Sequence, residues 1–334
     1  MMSQSVIGMS PFETPDVGLV ESLTRAGAIG VLDLGRQQTL GLDALQTITK
    51  RGLTDFGVRI PQVSLYSPDI LSNAVSLVIL DAEDLRDTQS SGRTLAAWRK
   101  AGRQVWVQVC SLAEARELFD ATRDLNARPD GLIIKGSESG GRVGLSSSLI
   151  LIQEIKTLSV PFWVQGGIGM HSAAACLLAG ATGVVLDSQL ALLRESSVGE
   201  EIKKAIQHAE GTETRLIHSH QVFNRPDLKL PHDSEISKAD FIKRLGAESL
   251  KGNFIPAGQD LCFARGFGEK HKNVRTLVHS LKRSMKGHLR QAKAHCALEP
   301  HSPMALANGT HYGLAQGPMT RVSDNAEFIN AVSD

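Results

Sequence analysis

From Gly131 to Ser197 the chain repeats one local pattern three times: a short apolar run, a polar or glycine-bearing turn, and a helical stretch. The runs are Leu132–Ile134, Phe162–Val164 and Val184–Leu186. The turns after them are Gly136-Ser137-Glu138-Ser139-Gly140-Gly141, Gln165-Gly166-Gly167-Ile168-Gly169 and Asp187-Ser188-Gln189. Strand, turn and helix in repetition build parallel α/β units. Glycine pairs directly after a strand leave backbone N–H groups open to the close approach of a phosphate.

The same pattern extends upstream. Strand candidates begin near Val6, Ile29, Gly57, Val75 and Val105, and the three runs above raise the count to eight. They are short, apolar and largely β-branched, as parallel strands covered on both faces require. Helical slots lie between them: one opened by Thr14-Pro15-Asp16 and stopped near Gly27, then Asp43–Lys50, Thr94–Lys100 and Leu112–Asn126. Ala26-Gly27-Ala28-Ile29-Gly30-Val31-Leu32-Asp33 is echoed by Ala179-Gly180-Ala181-Thr182-Gly183-Val184-Val185-Leu186-Asp187, one helix-to-strand junction used twice. Eight such units predict an α/β fold, a (β/α)8 TIM barrel over residues 1–200, with an open doubly wound sheet as the alternative. The segment between Ile60 and Val75 is too short for a full helix.

Composition sets the outer limits. Of 334 residues 42% are apolar but only 4% aromatic, so a large core forms from aliphatic side chains. A net charge of +1 gives no global attraction to nucleic acid or to a membrane. Cys110, Cys176, Cys262 and Cys296 show no paired spacing and read as reduced thiols. His218-Ser219-His220 is the one tight histidine pair and has no third ligand at metal-binding spacing. With no long apolar run and no basic, apolar leader, the expectation is a cytoplasmic protein.

Read together, GSESGGRVG, PFWVQGGIG and AGATGVVLDSQ resemble the nitronate monooxygenase (2-nitropropane dioxygenase-like) family, which includes FMN-dependent enoyl reductases of fatty-acid and polyketide synthesis. The resemblance covers residues 5–200. It implies a flavin oxidoreductase with FMN at the C-terminal ends of the strands. It places the FMN phosphate on Gly166, Gly167 and Ser188, and it sets Met9, Lys135, Gly140, Gly141 and Gln165 around the cofactor. The loops after the seventh and eighth strands are also where barrels commonly hold a phosphate. Three positions depart from the family. Arg142 stands where the family's turn carries histidine; arginine stays protonated and cannot serve as a general base. As the residue of that turn, Arg142 is the catalytic candidate, as an anion binder. Arg59 replaces a common asparagine, and Asp187 sets a carboxylate in the phosphate turn. Lys135 and Glu138 flank the sixth-strand turn and are spaced for an ion pair.

Beyond the barrel the sequence predicts a linker and helical extension over 201–310, with residues 210–260 as a linker or small helical insertion and Ser237–Leu245 its best helix. A long helix over Asn273–Lys293 has Val274, Leu277, Val278, Leu281 and Leu289 on one face and a basic opposite face. That face is solvated or docks an acidic partner such as an acyl carrier protein. Residues 311–334 read as the start of a second, incomplete barrel-like unit, because Leu314–Asp324 repeats the family's first strand and turn. Tandem barrels of this kind resemble the leading region of polyketide-synthase-like proteins. Three functions follow: a flavin oxidoreductase acting on a small or acyl substrate, a non-catalytic structural or carrier-docking barrel, and a phosphate-binding barrel without flavin.

Overall fold

A computed structural model describes residues 5–86, 88–123, 127–225, 228–317, 323 and 325–333. The chain divides into two compact units, Met1–Met285 and Lys286–Asp334. The first is built on a closed barrel. Its strands are β1 (Val6–Met9), β2 (Ile29–Asp33), β3 (Phe56–Ile60), β4 (Val75–Asp81), β5 (Gln104–Val109), β6 (Gly131–Lys135), β8 (Phe162–Gln165) and β9 (Gly183–Leu186). Each pairs in parallel with the next, and β1 pairs with β9 to close the ring.

Alternation along the strands sorts two cores. On β5, Val105, Val107 and Val109 face the helices while Trp106 points into the barrel; on β8, Phe162 and Val164 face out and Trp163 in. The interior floor holds Ile7, Val31, Leu77, Ile79, Ile133 and Val185 with the two indoles. Trp106 and Trp163 meet edge to face at 5.9 Å. Each indole needs room on the next strand. Trp106 is in register with Gly131 and Trp163 with Gly183, and a Cβ on either glycine would enter the ring beside it. The same alternation, carried one step further, points Asp33, Arg59, Asp81, Gln108, Lys135 and Gln165 inward at the C-terminal ends.

The surrounding helices are α1 (Val17–Arg25), α2 (Gln38–Lys50), α3 (Thr88–Lys100), α4 (Leu112–Ala121), α5 (Ser148–Lys156), α6 (Ser172–Leu178) and α7 (Glu200–Ile206). Asp16, rather than Thr14, caps α1 by accepting from the Leu19 N–H at 3.1 Å. Between β3 and β4 only two 3-10 turns, Val63–Leu65 and Pro68–Ile70, stand in for a helix, as the short spacing requires.

Residues 210–260, expected as a linker or small helical insertion, hold a short helix and also strands. They form a hairpin, β10 (Thr214–Ile217) and β11 (His220–Phe223), which pairs with β7 (Gly141–Arg142) in a three-stranded antiparallel sheet. Ile217, Val222, Phe241, Leu245 and Phe254 give it a core of its own, and Ser237 caps α8 (Lys238–Lys243). The first unit also holds α9 (Phe263–His271) and α10 (Val274–His295) up to Met285. Val274, Leu277, Val278, Leu281 and Met285 bury one face of α10 against the helices' core. In the second unit Ser302 caps α11 (Pro303–Asn308), and α12 (Ala326–Ser333) lies near the end. Within the echo of the first strand, Pro318–Val322 and Asp324 lie outside the described residues.

Candidate functional site

Asp33, Arg59, Gln108 and Gln165, inward at the strand ends, form one hydrogen-bonded layer across the barrel mouth. Arg59 on β3 donates to Asp33 on β2 at 2.7 Å, to Gln108 on β5 at 2.8 Å and to Glu13 at 3.4 Å. Gln108 donates to Gln165 on β8 at 2.6 Å, and Gln165 donates to Asp187 after β9 at 2.6 Å. Glu13 enters from the turn after β1, where Phe12 and Glu13 both take positive φ, and its second oxygen accepts from Arg36 at 2.8 Å. Burial pushes Glu13 up, but the Arg36, Arg59 and Lys135 charges outweigh it and hold the carboxyl below its usual range. Lys135 ends β6 beside this layer. Among the described residues its ammonium has no hydrogen-bond or ion-pair partner, and burial and the Arg59 charge lower its pKa. The expected pairing with Glu138 is absent: that carboxylate accepts from the Ser148 N–H and hydroxyl at the start of α5.

Beside this layer lies the turn pair read as a phosphate cradle. Gly166 and Gly167 take φ of 111° and 65°, which a side chain would oppose. Their turn meets Ser188 and Gln189, and all of them converge on Asp260 from the 3-10 turn Gln259–Cys262. The Ser188 hydroxyl donates to Asp260 Oδ1 at 3.0 Å and Gln189 Nε2 donates to Oδ2 at 3.1 Å, while a Gly167 backbone hydrogen bond reaches the same carboxyl. Asp187 lies beside the cradle, near enough for its charge to act on Asp260. It accepts from its own Ser188 N–H at 2.6 Å and from Gln165. Burial and the Asp187 charge raise the Asp260 carboxyl.

The expected site residues therefore separate. Met9, Lys135, Gly140 and Gln165 share a cavity of about 20 Å³ in the mouth; Gly167 and Ser188 bond to Asp260, and Gly166 lies against Ser139, Ser148 and Glu138. Gly141 belongs to β7, in register with Gln221. Arg142 sits in a cluster of acids, 2.6 Å from Asp81 at the end of β4 and 2.6 Å from Glu114. Burial disfavours its charge, but those carboxylates outweigh that and raise its pKa further. FMN does not fit among these side chains as they stand. The ring space measures about 20 Å³, where pockets for such ligands run to about 300 Å³ or more. Asp260 already takes up the phosphate donors.

A larger cavity of about 540 Å³ opens next to the mouth, lined by Arg36, Gln62, Asp84, Arg142, His220 and Lys238 among others. His220 sits opposite Arg142 in the β11–β7 register. Its Nδ1 donates to the His218 carbonyl at 2.7 Å, so the lone pair belongs to Nε2. Burial lowers its pKa to about 4, with Glu13 opposing, so the ring is neutral at pH 7. Asp84 is pushed up to about 6 by burial and by Asp81. Nothing in the sequence marked Glu13 or Asp260 for this site, and His220 stood out only as half of a histidine pair weighed for metal binding. His220 and Asp260 lie far along the chain from the strand ends they serve, and only the hairpin pairing and the 3-10 turn carry them there.

The barrel and its turns have counterparts in known proteins. The family model for nitronate monooxygenase matches residues 71–225. A curated relative, the (3aS,4S,5R,7aS)-5-hydroxy-7a-methyl-1-oxo-octahydro-1H-indene-4-carboxyl-CoA dehydrogenase of Rhodococcus jostii, is 27% identical over 191 residues, or 55% of this chain. The chain spans about half of that relative, 51% of its length. Among solved structures, FabK from Thermotoga maritima superposes with a TM-score of 0.70 at 18% identity, covering 87% of this chain and 96% of FabK. Nitroalkane oxidase from Streptomyces ansochromogenes gives 0.63 at 20% identity, over 86% and 97% of the two chains. The enoyl reductase domain of MlnA from the macrolactin cluster of Bacillus amyloliquefaciens gives 0.62 at 12%, over 87% and 96%. These likenesses show the shared fold. Over residues 71–225, from just before β4 to the end of the hairpin, the chain is similar to the nitronate monooxygenase family.

Proposed function

We propose that this chain is an oxidoreductase of the nitronate monooxygenase and enoyl-reductase type, with its flavin site shut in the form described here. The observation that carries the reading is the cradle. Donors from Gly167, Ser188 and Gln189 all aim at one carboxyl group, so the ends of β8 and β9 gather the kind of hydrogen-bond donors an oxyanion takes. FMN is the cofactor the family implies, and it supplies the redox chemistry when bound. The neighbouring 540 Å³ cavity is the place for a small or acyl-chain substrate. The naming of the curated relative as a carboxyl-CoA dehydrogenase supports an acyl thioester.

His220 takes over the role that Arg142 cannot fill. With Nδ1–H fixed on a carbonyl, Nε2 accepts a proton at the cavity, and a neutral ring is ready to do so at pH 7. Arg142 holds Asp81 and Glu114 and positions β7 against β11. In Asp260→Ala protein saturated with FMN, adding His220→Asn should lower turnover of an enoyl thioester or nitronate about 100-fold while substrate binding changes little. Protein that takes up no FMN from excess, both as wild type and with Asp260 replaced, overturns the oxidoreductase reading.

The filled mouth favours a second reading: a permanently closed barrel that serves as a structural or carrier-docking module. In that case the basic face of α10 is the docking surface for an acyl carrier protein. Residues 311–334 would begin a second barrel-like unit of a polyketide-synthase-like assembly, working in the cytoplasm. No helix among the described residues is long and apolar enough to cross a membrane, and the four cysteines are free thiols.

A further inference from the structure

The segment Pro256–Cys262 lies over the barrel mouth as a fixed part of the fold. Gly258 rests on the backbone of Glu138 and Ser139, and a Cβ there would overlap both. Gly140 presses in the same way on Pro256 and Ala257. The Asp260 N–H donates to the Glu138 carbonyl at 3.1 Å, pinning the segment to the turn after β6. Its carboxyl then accepts from Ser188, Gln189 and Gly167. A carboxylate presents planar acceptor oxygens much as a phosphate presents its terminal ones, and the same donors suit either. Asp260 is about 1% exposed, so nothing else reaches those donors while it stays. Burial and Asp187 both work against its charge, so hydrogen bonds and backbone pinning hold it in place.

We propose that Asp260 is a built-in phosphate surrogate: its side chain fills the anion cradle at the ends of β8 and β9 and bars phosphorylated ligands from the barrel mouth. This rests on the reading of those turns as a phosphate site, and it goes beyond that reading by naming the residue that closes it. Replacing the side chain frees the three donors while the glycine turns keep their shape.

The test is calorimetric titration of the full chain with inorganic phosphate and, separately, with FMN, in wild type and in Asp260→Ala. Circular dichroism melts confirm folding. Asp260→Ala should bind inorganic phosphate at least about tenfold more tightly than wild type. If the oxidoreductase reading also holds, FMN affinity rises with it. A gain for phosphate without a gain for FMN upholds the surrogate and removes the flavin reading. Wild type that binds FMN as tightly as the variant overturns the surrogate and leaves the flavin reading standing. A folded variant that gains neither ligand overturns the surrogate. Should Asp260→Ala fail to fold, Asp260→Ser, whose shorter side chain vacates the cradle and keeps one polar group, is judged by the same criteria.

Discussion

Arg142 neutralises Asp81 and Glu114 in a largely buried cluster, and Asp81 falls to about 2 because Arg142 outweighs its burial. Removing one partner of such a cluster leaves charge stranded. We expect Arg142→Met to lower the unfolding free energy by about 3–5 kcal/mol in urea titrations. Adding Asp81→Asn should recover part of that loss. His220 gives a pH signature. Its folded pKa of about 4 lies below its ordinary value near 6.5, so its contribution is present at neutral pH and is lost as pH falls. Relative to wild type, His220→Asn should gain about 3 kcal/mol between pH 6.5 and 4, read from urea midpoints. Asp84 runs the other way. Raised to about 6, it favours the fold below pH 4 and loses that contribution as pH climbs, so Asp84→Asn should steepen the acid loss.

Turns and strands behave differently under substitution. Gly258→Ala and Gly140→Ala each force a methyl into neighbouring backbone, and we expect a loss of about 2 kcal/mol or more in thermal or urea melts. Gly266 on α9 has open space around it, so Gly266→Ala should stabilise by about 0.5–1 kcal/mol from helix propensity alone. The strands were readable because side-chain direction alternates. Once Trp106 is placed inside, Gln108 must also point inward, and the parity of VQV, IIK and WVQ foretells a polar mouth. The hairpin was not readable. Its strands have four residues each, with charged and polar positions, and gain their structure from pairing with the two residues of β7. The cradle was half readable. Gly166, Gly167 and Ser188 follow from the glycine turn after a strand and from the family resemblance, but Asp260 lies 72 residues beyond Ser188 with no periodic signal linking the two.

At the scale of the molecule, the described buried apolar clusters draw all their members from residues up to Met285. A chain ending there should still unfold in one cooperative transition; a broad, gradual melt would show that the core needs more than these residues. The edge-to-face pair in the barrel floor has a further consequence. The chain's three tryptophans, Trp98, Trp106 and Trp163, are all buried, and two of them stack beneath the polar mouth. Intrinsic emission is therefore blue-shifted and silent to events on the solvent-facing surface. It becomes an optical gauge of the barrel lumen, and a yellow chromophore entering overhead would quench it by energy transfer from a few ångströms away.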